Sequence, residues 1–350
     1  MDVETKVQII QSDPTEEIVT EEELRHLLET KEHPKHYIGF EISGIPHIGH
    51  VLVAGKKIND LARAGVETQI LLADWHTVAN EKLHGDWELI IKVADFYKRL
   101  FREACPKTKA ILGSDLYKDN GEYWKIVMRM ASKTTIARAT RTLTIMGRSE
   151  KDTLHVSQYV YPIMQAADIH ALGADMPHAG IDQRRVHMLA KELFKEMNLG
   201  TIVPVHHHLL GSLLEPPKIQ DGGEKEEIVA AMKMSKSRPG SAISILATED
   251  EVKTSIKNAW CPEGAKDQNP VLEICRFVII PSLGKLKIER PSKFGGDVEY
   301  ASYQKLEEDY VTKKLHPMDL KNAVGLSLNT LISPISKKFS KDREWLEKVL

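Results

Sequence analysis

The sequence predicts an α/β fold, with a parallel-sheet domain followed by a mostly α-helical C-terminal part. Three observations carry that expectation. Residues 36–75 read as strand, glycine-containing turn, helix and strand, the unit from which parallel sheets are built. Short apolar runs recur between amphipathic helical stretches as far as "TIVPVHHHLL". From about Ala247 onward, helical signals dominate.

The elements follow in order. Thr20 with Glu23 forms a capping box that opens a helix from Glu21 to about Glu32. "HYIGFEIS" from His36 reads as a strand, and "TQILLADW" from Thr68 as a buried parallel one, because its apolar run does not alternate. Between them "HIGHVLVAGKKINDLARAG" has helical spacing and ends at Gly65. A helix runs from near Asp86, with Leu89, Ile90, Val93, Phe96, Tyr97 and Leu100 on its apolar side. "AILGS" is a short strand. Residues 124–148 contain no acid and carry Lys125, Arg129, Lys133, Arg138, Arg141 and Arg148, which suits either a basic outer surface or one facing phosphate. "VYPIMQAADIHALGAD" is helical, "MPHAG" a strand, and "DQRRVHMLAKELFKEM" a helix. "LLEPPKIQDGGEKEEIVAAM" reads as a surface excursion. Thr248 with Glu251 caps the first helix of the C-terminal part, and "PMDLKNAVGLSLNTLISPISKKF" and "KDREWLEKVL" complete it.

Composition sets the outer limits. The 350 residues suffice for about two domains. Net charge is −2, so any nucleic-acid contact must come from local patches. There is no apolar run of transmembrane length and no apolar signal core at the N-terminus. The 3 cysteines, Cys105, Cys261 and Cys275, are too scattered for a disulfide framework. Together these features predict a cytoplasmic protein. The triplet His206-His207-His208 resembles a metal tract, but neighbours on a strand face opposite ways. No metal site is expected.

Two motifs carry chemistry. His47-Ile48-Gly49-His50 follows a strand at a helix start, and Lys233-Met234-Ser235-Lys236-Ser237 lies far downstream. A helix start offers unpaired N–H groups to phosphate. Gly49 would let a flat base or ribose lie against the backbone. His47 and His50 can donate to phosphoryl oxygens as charge builds there. Lys233 and Lys236, in a loop bounded by Ser, Gly and Pro, can bring two ammonium groups to the outer phosphates of ATP. Strand, first motif and second motif in this order resemble the class I aminoacyl-tRNA synthetases.

The resemblance narrows to the archaeal and eukaryotic type of tyrosyl-tRNA synthetase through "YIGFEISG", "LLADWH", "YPIMQAADIHALGAD", "DQRRVHMLA", "WCPEGA", "RPSKFGGD" and "LHPMDLKNAV", in family order over nearly the whole chain. It implies a Rossmann-like catalytic domain over 1–246, interrupted at about 105–160 by an inserted helical dimerisation segment, and an anticodon-binding domain over 247–350. It implies that Tyr37 and Asp168 hold the phenol of L-tyrosine, that Tyr161, Gln165 and Gln183 hold its ammonium group, and that Glu41, Ala73 and His76 line the pocket. ATP, with Mg²⁺ as part of the substrate complex and no tightly bound cofactor, would meet His47, Gly49, His50, Lys233, Ser235 and Lys236. Phe294, His316 and Asp319 would meet the anticodon. The implied partners are tyrosine, ATP, tRNA(Tyr) and a second copy of the chain.

The residues agree with parts of this. A buried phenol needs a donor and an acceptor, which Tyr37 and Asp168 can supply. Tyr161, Gln165 and Asp168 are four and three apart, on one helical face. His316 and Asp319 lie around Pro317, so helix capping with the acid in the first turn is a second role open to them, and both roles can hold together. A tryptophanyl enzyme, a nucleotidyltransferase with the same histidine motif and a non-catalytic RNA-binding relative remain open alternatives.

Overall fold

The computed structural model describes residues 1–148, 152, 154–216, 232–235 and 238–350, with Phe294 by its backbone alone. The chain forms two compact units. The first takes residues 1–44 and the described part of 54–208; the second takes 45–53 and the described residues from 209 onward. The compact units therefore do not follow the expected 246/247 boundary. The histidine motif and the lysine motif belong to the same unit.

The first unit is built on a six-stranded sheet. Its strands are β1 (Thr15–Ile18), β2 (His36–Glu41), β3 (Gln69–Ala73), β4 (Lys109–Leu112), β5 (Met176–Gly180) and β6 (Val205–His207), in the order β1-β6-β5-β2-β3-β4. All neighbours are parallel except β1, which closes the edge antiparallel to β6. β3 and β5 are buried almost throughout, which explains the apolar run of β3. The order runs outward from β2 in both directions, through β3 and β4 on one side and β5 and β6 on the other. In open α/β sheets the crevice beyond the strand ends at such a reversal is the place where ligands bind. β2 and β5 pair only at His36–Met176 and Tyr37–Pro177, so their carboxyl ends are free of each other.

The helices around the sheet form for local reasons. Thr20 caps helix Glu21–Thr30 with the expected reciprocal box, and Asp86 caps helix Trp87–Ala104, which buries Ile90, Val93, Phe96, Tyr97, Leu100 and Phe101. The side chain of Lys57, on helix Gly55–Arg63, is fully buried. Its ammonium donates to the carbonyls of Ile9, Ile10 and Ser12 at 3.2, 3.1 and 2.8 Å, satisfying the end of the N-terminal helix Val3–Gln11.

The acid-free segment acquires acids from elsewhere in the unit. It forms helices Gly121–Lys133 and Ile136–Thr140. Lys133 pairs with Glu196 and Arg138 with Glu192, both at 2.6 Å, on the neighbouring helix Arg184–Met197. Arg148 reaches Glu81 at 3.1 Å.

The histidine triplet is also partitioned by the sheet. His206 lies 3.0 Å from His187 and 2.8 Å from Glu17. His207 lies 2.8 Å from His178, which in turn lies 3.0 Å from His36. His208 lies 2.9 Å from Glu16. The three imidazoles therefore engage separate partners.

In the second unit, Thr248 caps helix Glu249–Asn258 through the expected box. The strands β7 (Leu286–Ile288) and β8 (Val298–Tyr300) make a small antiparallel pair, and helices Tyr303–Val311, Pro317–Lys338 and Ser340–Val349 follow. Arg343 forks onto Glu251, with both bonds at 2.7 Å. Cys261 and Cys275 are buried and unpaired packing residues.

Candidate active site

In the first unit the predicted tyrosine-binding residues gather at the carboxyl side of the sheet reversal. Tyr37 stands on β2 and is buried. Two residues on, Gly39 shares its face. A Cβ on Gly39 would lie 2.9 Å from the Tyr37 hydroxyl, so the glycine is what lets that ring lie along the strand. Ala73 ends β3, and a short helix, Asp74–Ala79, carries His76. Helix Val156–Ala171 brings Tyr161, Gln165 and Asp168 along one side. The Tyr161 ring meets His76 edge-on at 4.6 Å.

Asp168 is the electrostatic centre. It is fully buried. Its Oδ1 accepts hydrogen bonds from the hydroxyls of Tyr117 and Tyr123, both at 2.9 Å. Its Oδ2 is buried and has no hydrogen-bond partner among the described residues; His76 Nε2 is 3.4 Å away without hydrogen-bond geometry. Burial raises the Asp168 carboxyl to about 7, against the two phenol hydrogen bonds, which lower it. Burial also depresses His76 to about 4, so this ring is neutral near pH 7. A buried pocket with one carboxylate oxygen lacking a hydrogen bond suits a ligand that brings a hydrogen-bond donor.

A second polar group lies along the same helix. Gln165 Nε2 is 3.4 Å from Gln183 Oε1, and Gln183 Nε2 donates to the Ile145 carbonyl at 3.0 Å. Both amides carry oxygens, acceptors of the kind an ammonium group requires. Glu41, the last residue of β2, accepts from Asn80 at 2.7 Å, and Arg148 donates to Asn80 at 3.1 Å.

Tyr117 and Tyr123 were not visible as site residues in the sequence. Both fall between the strand expected at "AILGS" and the basic stretch that starts at Trp124. The signal there is two tyrosines in a short turn, since a buried phenol must find a partner. Asp74 holds the turn's start, accepting from the Ser114 N–H at 3.0 Å. Gly113 has no room for a side chain, because a Cβ there would sit 2.6 Å from Asp74 Oδ1.

In the second unit the chain leaves Gly44 and pairs at His47 with Ser244, an antiparallel bridge flanked by bonds from Ile48 to Ile243 and from Ile245 to Pro46, both 3.0 Å. Lys233 bridges to Gly211, and Ser241 Oγ donates to the Ser235 carbonyl at 2.6 Å. The two motifs thus flank one short stretch of chain. Lys236 lies outside the described residues. Winding begins at Gly49 rather than His47, and its first part, Gly49–Ala54, is a π-helix.

The imidazole tautomers follow from the backbone. Gly49 N–H donates to His47 Nδ1 at 3.1 Å, and His47 N–H to His50 Nδ1 at 3.3 Å. An Nδ1 that accepts leaves the proton on Nε2. Both rings, with centroids 4.0 Å apart, therefore carry their proton on Nε2 when neutral. Gly49 has a more immediate reason than the expected nucleotide contact: a Cβ there would lie 2.8 Å from His47 Cε1.

His316 caps helix Pro317–Lys338, its Nδ1 accepting from the Met318 N–H at 3.1 Å, and Asp319 sits in the first turn. The capping reading holds for both. Phe294 ends a short 3₁₀ turn, and its side chain lies outside the described part.

Residues 29–333 match the family model of class I tRNA synthetases (W and Y). The chain is 42% identical, over 369 aligned positions covering 99% of it and 98% of the relative, to a tyrosine–tRNA ligase of Thermococcus sibiricus. It superposes with TM-score 0.92 and 40% identity on a tyrosyl-tRNA synthetase from Pyrococcus horikoshii complexed with L-tyrosine, covering 100% of this chain and 99% of that one. A corresponding complex from Archaeoglobus fulgidus gives TM-score 0.85 and 41% identity, over 96% and 99% of the two chains.

Proposed function

The chain belongs to the class I tRNA synthetases for tryptophan and tyrosine, and on that premise we propose how its residues perform the tyrosine–tRNA ligase reaction. The enzyme joins tyrosine to the adenylate of ATP and then transfers it to the 3′-terminal adenosine of tRNA(Tyr).

The orphaned Asp168 Oδ2 carries the assignment of the amino-acid pocket. The substrate phenol donates to it, and Tyr37 completes the phenol's hydrogen bonding. Phenylalanine would leave the same oxygen buried and unpaired, which penalises it. Tyr161, Gln165 and Gln183 receive the ammonium group. Glu41, Ala73 and His76 complete the lining.

The tyrosine carboxylate is already anionic, so it attacks the α-phosphorus without a general base. Catalysis is then positioning and charge stabilisation. The Nε2–H groups of His47 and His50 serve the phosphoryl oxygens. Lys233 and Lys236, with Ser235, serve the departing pyrophosphate. Gly49 acts through His47, whose ring it accommodates. Mg²⁺ arrives with the nucleotide as part of the substrate. In the second step a ribose hydroxyl of the tRNA attacks the mixed anhydride. Functionally, residues 1–246 make the catalytic part, and residues 247–350 read the anticodon through Phe294, His316 and Asp319. Capping leaves the His316 ring at an exposed helix end, compatible with stacking.

A homodimer through the segment inserted at about 105–160 is supported by Trp124, Met128 and Ile136, which are 46%, 68% and 70% exposed. A single sedimenting species of monomer mass at micromolar concentration would reject it. A cytoplasmic setting fits the three unpaired cysteines. No helix among the described residues is long and apolar enough to cross a membrane.

ATP–pyrophosphate exchange with each of the twenty amino acids tests the whole reading. Exchange driven by tyrosine alone is expected. Exchange driven by tryptophan, or none, would overturn it.

A further inference from the structure

We propose that Tyr117 and Tyr123 are positioning residues for amino-acid selection: by occupying Asp168 Oδ1 together, they leave Oδ2 as the only oxygen offered to the substrate phenol. This rests on the assignment of Asp168 to the phenol.

The geometry argues for a dedicated pair. The two rings stack with centroids 4.3 Å apart and planes 26° from parallel, and both are buried. Their hydroxyls converge on one oxygen at equal distance, 2.9 Å, which uses both of its in-plane lone pairs. They come from different elements: Tyr117 ends the short helix Gly113–Tyr117, and Tyr123 lies in helix Gly121–Lys133. A carboxylate held on one oxygen from two directions cannot rotate. The other oxygen then has a fixed direction, and a ligand must bring its donor to it.

The pair also favours the ionised carboxylate. The ionisable groups facing Asp168 are Tyr117, Tyr123, Tyr37, Tyr161, His76 and Asp74. Burial and the nearby Asp74 raise the carboxyl, while only the two phenol hydrogen bonds lower it. Removing one hydroxyl pushes the carboxyl higher. At neutral pH the protonated form then predominates, and the substrate phenol meets a weaker, neutral acceptor that carries its own O–H.

The experiment is pyrophosphate exchange with tyrosine across the pH range on Tyr117→Phe, Tyr123→Phe and Asp168→Asn. Phenylalanine keeps each stacked ring, and either of the first two variants, if folded, reads the proposal. The tyrosine KM is expected to rise about tenfold near pH 7, as for loss of a hydrogen bond to a charged group. Its acid limb should move up by about one pH unit. The kcat and the KM for ATP should hold. An unmoved acid limb would overturn the proposal, as would a fall in kcat together with rises in both the tyrosine KM and the ATP KM, which signals a packing role only. If Asp168→Asn still prefers tyrosine over phenylalanine, the underlying assignment of Asp168 is wrong. If it loses that preference while both hydroxyl deletions keep the native pH profile, only the positioning role fails.

Discussion

The pocket around Asp168 and the loop around His47 handle polar atoms in opposite ways. In the first unit Asp168 and His76 are buried, and one carboxylate oxygen of Asp168 is held by two tyrosines from other elements while the other accepts no hydrogen bond among the described residues. In the second unit His47, His50, Lys233 and Ser235 are half-buried, with backbone groups among their hydrogen-bond and bridge partners. The difference follows from the ligands. A neutral phenol is distinguished from a phenyl ring only where an unmet hydrogen bond is costly, which requires burial. A triphosphate carries its charge outward and is met by donors that keep access to water until it arrives.

Acid should separate the two regions most widely. His36, His178, His187 and His207 are buried in the first unit, with burial depressing their imidazoles: His36 to about 3, His207 to about 4, and the other two well below the usual value. The unfolded chain titrates near the ordinary histidine value of about 6.5. Between that pH and the folded values the unfolded state binds more protons, so stability is full above about 6.5 and falls as the pH drops toward 4. Asp168 opposes this, because its raised carboxyl takes up a proton in the folded state first. The net loss for the first unit is on the order of a few kcal/mol. Hydrogen exchange measured by segment at neutral pH and near pH 5 should show residues 54–208 opening before residues 249–349. Simultaneous opening would show that the histidines are not the weak point.

The chemical step gives the next contrast. His47→Ala or His50→Ala should lower kcat for adenylate formation roughly 10²–10³-fold, as for loss of a transition-state donor. Tyrosine affinity by calorimetry should stay as in the native protein. Asp168→Asn should do the reverse, weakening tyrosine by about 10–100-fold with a smaller effect on turnover. Equal losses in both parameters for either variant would erase the distinction between the regions. The smallest effect is structural. Glu251→Gln removes the charge opposite Arg343 and should cost about 1 kcal/mol or less in thermal unfolding, with no change in the tyrosine KM.

Local patterns were readable wherever the chain's own neighbours decide the structure. The runs at His36 and Gln69, the capping boxes at Thr20 and Thr248, and the shared face of Tyr161, Gln165 and Asp168 all appear as expected. What escaped depends on contacts remote in sequence. Tyr117 and Tyr123 become site residues only because Asp168, some fifty positions later, folds onto them. The basic helices gain their acids from Glu192 and Glu196. At Gly49 a side chain would meet the ring two residues before it, a reason for the glycine that the motif alone does not show. The resemblance supplied the pocket's membership, and its buried geometry required the fold.

Lys57 joins the first and third helices through three carbonyls in a dry interior. Pulling the leading helix away would take three acceptors from the buried Lys57 amine and leave, among the described residues, only the Asp60 carboxylate, 3.8 Å off, beside it. The amino-terminal dozen residues are therefore not an independent appendage. Their detachment is coupled to opening of the sheet behind them, so trimming that end should weaken the whole first unit rather than merely shorten the chain.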